Sequence, residues 1–161
     1  MIRHLAIAPL AAVLFAVPAS AQFRPEIFFQ GRTRGAGTVK IVASSSPRAL
    51  SVQSVGRVMP DGELVLDQAI RIDGKPSTRT FRIRRAPDGA YVGTLSDASG
   101  PVRATVTGDS MRLAYPMKRA GFRMNQLLTL QPGGRTLINT ATVTLLGITV
   151  ARIEERIDKV D

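Results

Sequence analysis

The chain has 161 residues, 22 Lys and Arg against 12 Asp and Glu, a formal charge of +10, no cysteine and a single histidine, His4. Lacking cysteine, and with its histidine at the extreme N-terminus, it excludes Ser-His-Asp and Cys-His catalysis, zinc or copper sites built on imidazole and thiolate, and any disulfide. The positive charge is mostly arginine and suits an anionic partner, while an aromatic content of 5% offers little stacking surface for nucleic acid.

Arg3 and His4 precede an apolar run from Ala6 to Val17, and Ala19-Ser20-Ala21 presents small residues at a cleavage site. This pattern predicts a secretory signal over residues 1–21, removed after Ala21, because about 12 apolar residues fall short of the roughly 20 that a spanning helix needs. The expected product is a soluble periplasmic protein of one domain, residues 22–161, with no cysteine to carry a lipid.

Next comes FFQGRTRGAGTVKI, Phe28 to Ile41. A phosphate loop would need a helix after its glycines. Here the β-branched TVKIV follows, and the spacing of Gly31, Gly35 and Gly37 fits neither nucleotide-binding pattern. The stretch predicts a first strand whose glycines let it coil at a barrel's closure and let another backbone approach closely.

From there the turn signals are regular: Pro60-Asp61-Gly62, Asp73-Gly74, Pro87-Asp88-Gly89, Gly108-Asp109 and Pro132-Gly133-Gly134. Between them apolar residues alternate, as in Leu64, Leu66, Ile70 and Ile72, in Phe81 and Ile83, and in Met111, Leu113, Tyr115 and Met117. Period two means strands with one buried face. The opposite parity collects Arg57, Asp67, Arg71, Arg82, Arg84, Arg103 and Arg112, a face turned to water. Lys118 and Arg119 beside Gly121 form a basic hairpin loop. Leu137 to Ile157 reads as one long stretch in which Gly147 marks a bulge or bend. No segment shows a helical period. About eight to ten such strands predict an all-β fold, a single antiparallel meander closed into a small barrel, with a β-sandwich as the alternative.

Phe29-x-Gly31-x-Thr33-x-Gly35-x-Gly37, DGELVLDQAIRIDG (Asp61 to Gly74), Arg79-x-Phe81, DGAYVGTLSDASG (Asp88 to Gly100), Tyr115 and LINTATVTLLGI (Leu137 to Ile148) occur in that order. Together they resemble the bacterial domain-of-unknown-function 3833 family over nearly the whole chain after the signal. The resemblance implies a lipocalin-like barrel in an envelope protein without assigned activity. It also implies that Asp67, Phe81 and Asn139 occupy the family's acidic, aromatic and asparagine positions. The family's lipid-accepting cysteine is absent here, and its usual tryptophan is Phe81, which has no indole N–H.

Three functions fit. The first is a binding module for a small apolar or amphipathic ligand, with Arg79 as polar handle and Phe81, Tyr91, Tyr115 and Met117 as candidate lining, residues that equally suit ordinary core packing. The second is a non-catalytic envelope interaction protein, presenting Arg82, Arg84, Arg103 and Arg112 to anionic lipid, polysaccharide or a protein partner. An enzyme comes third, with Asp67 and Asp97 as a conceivable carboxylate pair, although Asp67 lies on the solvent parity. No catalytic residue, metal site or cofactor is assigned.

Overall fold

A computed structural model describes residues 22–160; the expected signal, residues 1–21, lies outside them. The described residues form a short helix, α1 (Pro25–Phe28), and ten strands: β1 (Gly31–Ile41), β2 (Arg48–Val58), β3 (Leu64–Ile72), β4 (Lys75–Arg85), β5 (Tyr91–Leu95), β6 (Val102–Thr107), β7 (Ser110–Pro116), β8 (Phe122–Leu130), β9 (Thr136–Leu145) and β10 (Ile148–Lys159). Each strand pairs antiparallel with the next, and β10 pairs with β1, so the sheet is a closed barrel rather than a sandwich. The alternation dictates the two surfaces. Leu64, Leu66, Phe81, Ile83, Met111 and Leu113 are buried inside, whereas Arg57, Arg82, Arg84, Arg103 and Arg112 are exposed on the outer wall.

The glycines of β1 make the closure. At the seam Gly37 faces Glu155 and Gly35 faces Ile157 in register. A Cβ at Gly37 would run into the Glu154 carbonyl oxygen and sit 2.7 Å from the Glu155 Cα. The two strands therefore approach more closely than any side chain on that face would allow.

The strands define two ends. One is plugged. Phe23, Phe28 and Phe29 are buried there, packed edge to face, with ring centroids 6.2 Å apart for Phe23 and Phe28 and 5.0 Å apart for Phe28 and Phe29. Three such rings removed from water favour the docked plug by about 1.5–3 kcal/mol each. Lys159 Nζ donates to the carbonyls of Ile27, Phe28 and Gln30 at 3.3, 2.9 and 2.8 Å, and Tyr91 Oη donates to Glu26 Oε2 at 2.8 Å. The sequence gives no helical period for α1 because a single turn begun by Pro25 shows no repeat. Among the described residues no helix is long and apolar enough to cross a membrane.

Gly147 corrects the sequence expectation. Leu137 to Ile157 is two strands, and Leu146 (φ +49°) with Gly147 (φ +87°) is the two-residue turn between them. The same positive-φ pair recurs at Asp73 (φ +49°) and Gly74 (φ +78°), where Asp-Gly announces it. Leucine in the left-handed region carries no such signal. The register does shift close by, between Thr149 and Ala151, so the irregularity falls after the glycine.

Candidate functional site

Inward parity carries polar residues across the middle of an otherwise apolar interior. On the first four strands Thr33 faces Ser54, Ser54 faces Gln68, and Gln68 faces Arg79 in register. Buried polar groups are costly unless hydrogen-bonded, and this row is partly satisfied. Gln68 Nε2 donates to Ser54 Oγ at 3.1 Å, and Arg79 Nε donates to Gln68 Oε1 at 2.6 Å. On the β9–β10 wall Asn139 faces Glu155 and donates from Nδ2 to Glu155 Oε2 at 3.0 Å. Gly35 makes room for that carboxylate, since a Cβ there would lie 2.9 Å from Glu155 Cδ.

These groups line one cavity. Gln68, Arg79, Gln126, Asn139 and Glu155 share it with apolar walls that include Phe29 and Phe81, around open space of about 50 Å³. That space admits a few water-sized groups and is well below the roughly 300 Å³ of a pocket for a drug-sized molecule. Arg79 is its one cation. The guanidinium lies 5.6 Å from the Phe81 ring centroid and its Nη1 is 3.9 Å from Asp97 Oδ2, with 16% of the side chain exposed. Asn139 Oδ1, Asp97 Oδ1, Thr33 Oγ1 and Tyr115 Oη are buried without a hydrogen-bond partner among the described residues.

On the side of the polar row away from the plug the barrel wall is thinner. β5 pairs with β4 only from Phe81 to Arg85, so Lys75–Arg79 has no strand on that side. Ser77, on the inward parity, is exposed, and Ile70 and Ile72 are half-buried. Ile70 and Ile72 pack there against a second buried apolar cluster, Val39, Leu50, Val52 and Ala151, which occupies the mouth end of the barrel beyond the polar belt.

Of the five residues expected to form a ligand site, Arg79 and Phe81 line this cavity. Tyr91 is buried at the plug end, its hydroxyl turned to Glu26, and burial together with that hydrogen bond pushes its pKa up to about 12. Tyr115 is fully buried in the core and does not line the cavity, and desolvation pushes its pKa up to about 12. Met117 is half-buried against the core and bridges to Ala98. Asp67 faces outward to Thr80 and Arg57, which hold its carboxyl below the usual aspartate range, while Asp97 turns to Arg79. The two aspartates are therefore not presented as a pair. Sequence reasoning missed Gln68, Gln126 and Glu155, although each breaks into an apolar parity, as Gln68 does between Leu66 and Ile70.

Burial lifts the Glu155 carboxyl above the ordinary glutamate range, opposed by the Asn139 hydrogen bond and the Arg79 charge. A raised acid holds its proton when folded at pH values where the unfolded chain has lost it. Its contribution to stability is therefore lost as pH rises from the unfolded value through the folded one. Glu155→Gln should melt above wild type at pH 7, with the gap shrinking toward pH 4. A variant that melts lower at pH 7, or keeps one gap at both pH values, contradicts the assignment.

The family model for Protein of unknown function (DUF3833) matches residues 16–159. The chain belongs to this family. No curated protein matches it. Solved structures share the barrel at low identity. The S-type phycobiliprotein lyase of Guillardia theta is 8% identical with a TM-score of 0.64, the match covering 84% of this chain and 90% of that one. Rv2717c of M. tuberculosis is 16% identical with a TM-score of 0.59, over 86% and 99% of the two chains. A protein of unknown function from the DUF3598 family of Nostoc punctiforme is 12% identical with a TM-score of 0.62, over 86% of this chain. The DUF3833 chain spans half the length of that Nostoc protein.

Proposed function

We propose that this DUF3833 protein is a periplasmic carrier or sensor that holds a small amphipathic molecule in its barrel, the head at the polar belt and the tail along the apolar mouth. One observation carries this reading: Arg79 is placed inside an apolar barrel, largely buried, with the unpartnered Asn139 Oδ1 in the same cavity. A guanidinium binds a carboxylate or phosphate through its planar fork, and a site already desolvated strengthens that contact. A slender chain fits better than a bulky ring, because the space at the belt holds a head group alone. The likeness to a phycobiliprotein lyase is compatible with a ligand-holding barrel and supplies no residue of this site. The outer arginines favour the alternative less, since Arg82 is held by Glu63 at 2.6 Å and Arg103 is paired with Asp88.

The test uses protein recovered from the envelope fraction, its first residue read by N-terminal sequencing and expected to be Gln22. A fluorescent fatty acid should bind saturably at one site per chain and be displaced by unlabelled dodecanoate. Affinity should change by less than about threefold between 0.1 and 1 M salt, because a buried contact is little screened. Absence of saturable binding, or its loss at high salt, overturns the reading.

A further inference from the structure

Cations and apolar side chains gather at the mouth end of the barrel in a way the ligand site does not use. Leu146 and Ile148, in and beside the β9–β10 turn, are 82% and 73% exposed, and Val42, 54% exposed, is tied to the same strand by its N–H to the Val150 carbonyl at 2.9 Å. Leu146 is the more telling because it holds φ +49°, a left-handed conformation that is strained for an ordinary side chain and that asparagine or glycine adopts readily. A large apolar residue thus stands at a solvent tip where a polar one would fold more easily.

Around that tip the cations lack a carboxylate partner among the described residues, and Arg119 stacks over Phe122, 4.4 Å from the ring centroid. The Leu146 N–H donates to the Gly121 carbonyl at 3.0 Å, which brings the Lys118–Arg119 loop beside it. Arg123 lies opposite Thr144, and Lys40 lies opposite Arg152. No ion pair engages these five cations among the described residues, whereas at the plug end Arg24, Arg82, Arg103 and Arg156 are all matched to carboxylates. Pairing does not by itself separate the two ends, since Arg48 meets Asp73 at 3.9 Å at the mouth and Arg84, Arg85 and Arg135 toward the plug have no carboxylate partner among the described residues. What distinguishes the mouth is that its unmatched cations surround an exposed apolar tip.

We propose that the mouth end docks on an anionic lipid surface, Leu146, Ile148 and Val42 entering the headgroup layer and Lys118, Arg119, Arg123, Lys40 and Arg152 facing lipid phosphates. An apolar tip ringed by cations matches both layers of such a surface. Apolar area drives the insertion, and each cation near the membrane adds to it electrostatically. The proposal is independent of the ligand at Arg79, though docking there would set the mouth against lipid.

Co-sedimentation with vesicles tests it, comparing phosphatidylglycerol-containing with pure phosphatidylcholine membranes. Wild type should bind the anionic vesicles at 0.1 M salt and release them at 1 M, where the screening length falls from about 10 Å to 3 Å. Leu146→Asn suits the left-handed turn, so it should melt at or above the wild-type temperature yet lose binding roughly tenfold. The double change Lys118→Ser with Arg119→Ser should weaken binding by about tenfold or more. Arg82→Ser with Arg84→Ser on the outer wall should leave it unchanged. Fluorescent fatty-acid binding by Leu146→Asn should match wild type, which separates this proposal from the ligand site. Wild type that ignores anionic vesicles, full binding by both mouth variants, or loss through Arg82 and Arg84 overturns the proposal, as would capture of an acidic protein by a chain that binds no vesicle.

Discussion

Gly37→Val should open the barrel at its seam and destabilise the protein by about 3 kcal/mol or more, read as a large fall in the urea midpoint. The added side chain would meet the Glu154 carbonyl and the Glu155 Cα, which are backbone atoms of β10. A flexible side chain can step aside, but a paired strand cannot move without breaking its ladder. The same displacement would disturb Glu155, the belt residue in register with Gly37. Gly100→Ala serves as the matched control, since nothing lies within 4 Å of a Cβ there, and it should stay within about 0.5 kcal/mol of wild type. Equal midpoints for both variants would show that the seam tolerates a side chain and that β1 does not close as described.

Arg79→Met should reduce affinity for a carboxylate-headed ligand by about 10- to 100-fold, the loss expected when a charge-assisted hydrogen bond disappears from a desolvated site. Methionine keeps the length of the stem and its packing near Phe81 while removing every donor. The fold should survive, with a β-type circular dichroism spectrum and a cooperative melt. Gln68 Oε1 loses the donor that now reaches it at 2.6 Å, so a modest stability loss should accompany the change. Arg79→Lys should recover part of the affinity, because the charge returns without the planar fork. Unaltered binding by Arg79→Met would move the ligand away from the belt.

How much could be read beforehand depended on which physical rule was local. Period-two alternation places Leu64, Phe81, Leu113 and Arg79 inside and Arg82 and Arg103 outside, and the glycines of β1 announce a close approach. Parity tells inside from outside but says nothing of height along the barrel axis. Tyr91 and Tyr115 share the inward face with Phe81 yet neither lines the cavity, Tyr91 standing at the plug and Tyr115 packed within the core. Glu155 escaped because Leu146 concealed the turn before β10, leaving that strand's alternation merged with the preceding one. Asn139 was legible through the family resemblance, and its parity with Leu137 and Ala141 agrees with the inward place it occupies. The aromatic plug had no periodic signal, and its anchor on Lys159 joins residues more than 120 positions apart.

The central claim is that the ligand's head sits inside the barrel on the polar belt, and a proton–nitrogen correlation titration with dodecanoate tests it most directly. The belt carries its own reporters, the side-chain amides of Gln68, Gln126 and Asn139 and the Nε–H of Arg79, while Gln53 and Asn125 sit on the outward parity as controls. The account predicts saturable shifts of Arg79 Nε–H, Gln68 and Asn139, with Gln53 and Asn125 unmoved. Shifts confined to Gln53, Asn125 and other outer residues, with the belt signals unchanged at saturation, would contradict it.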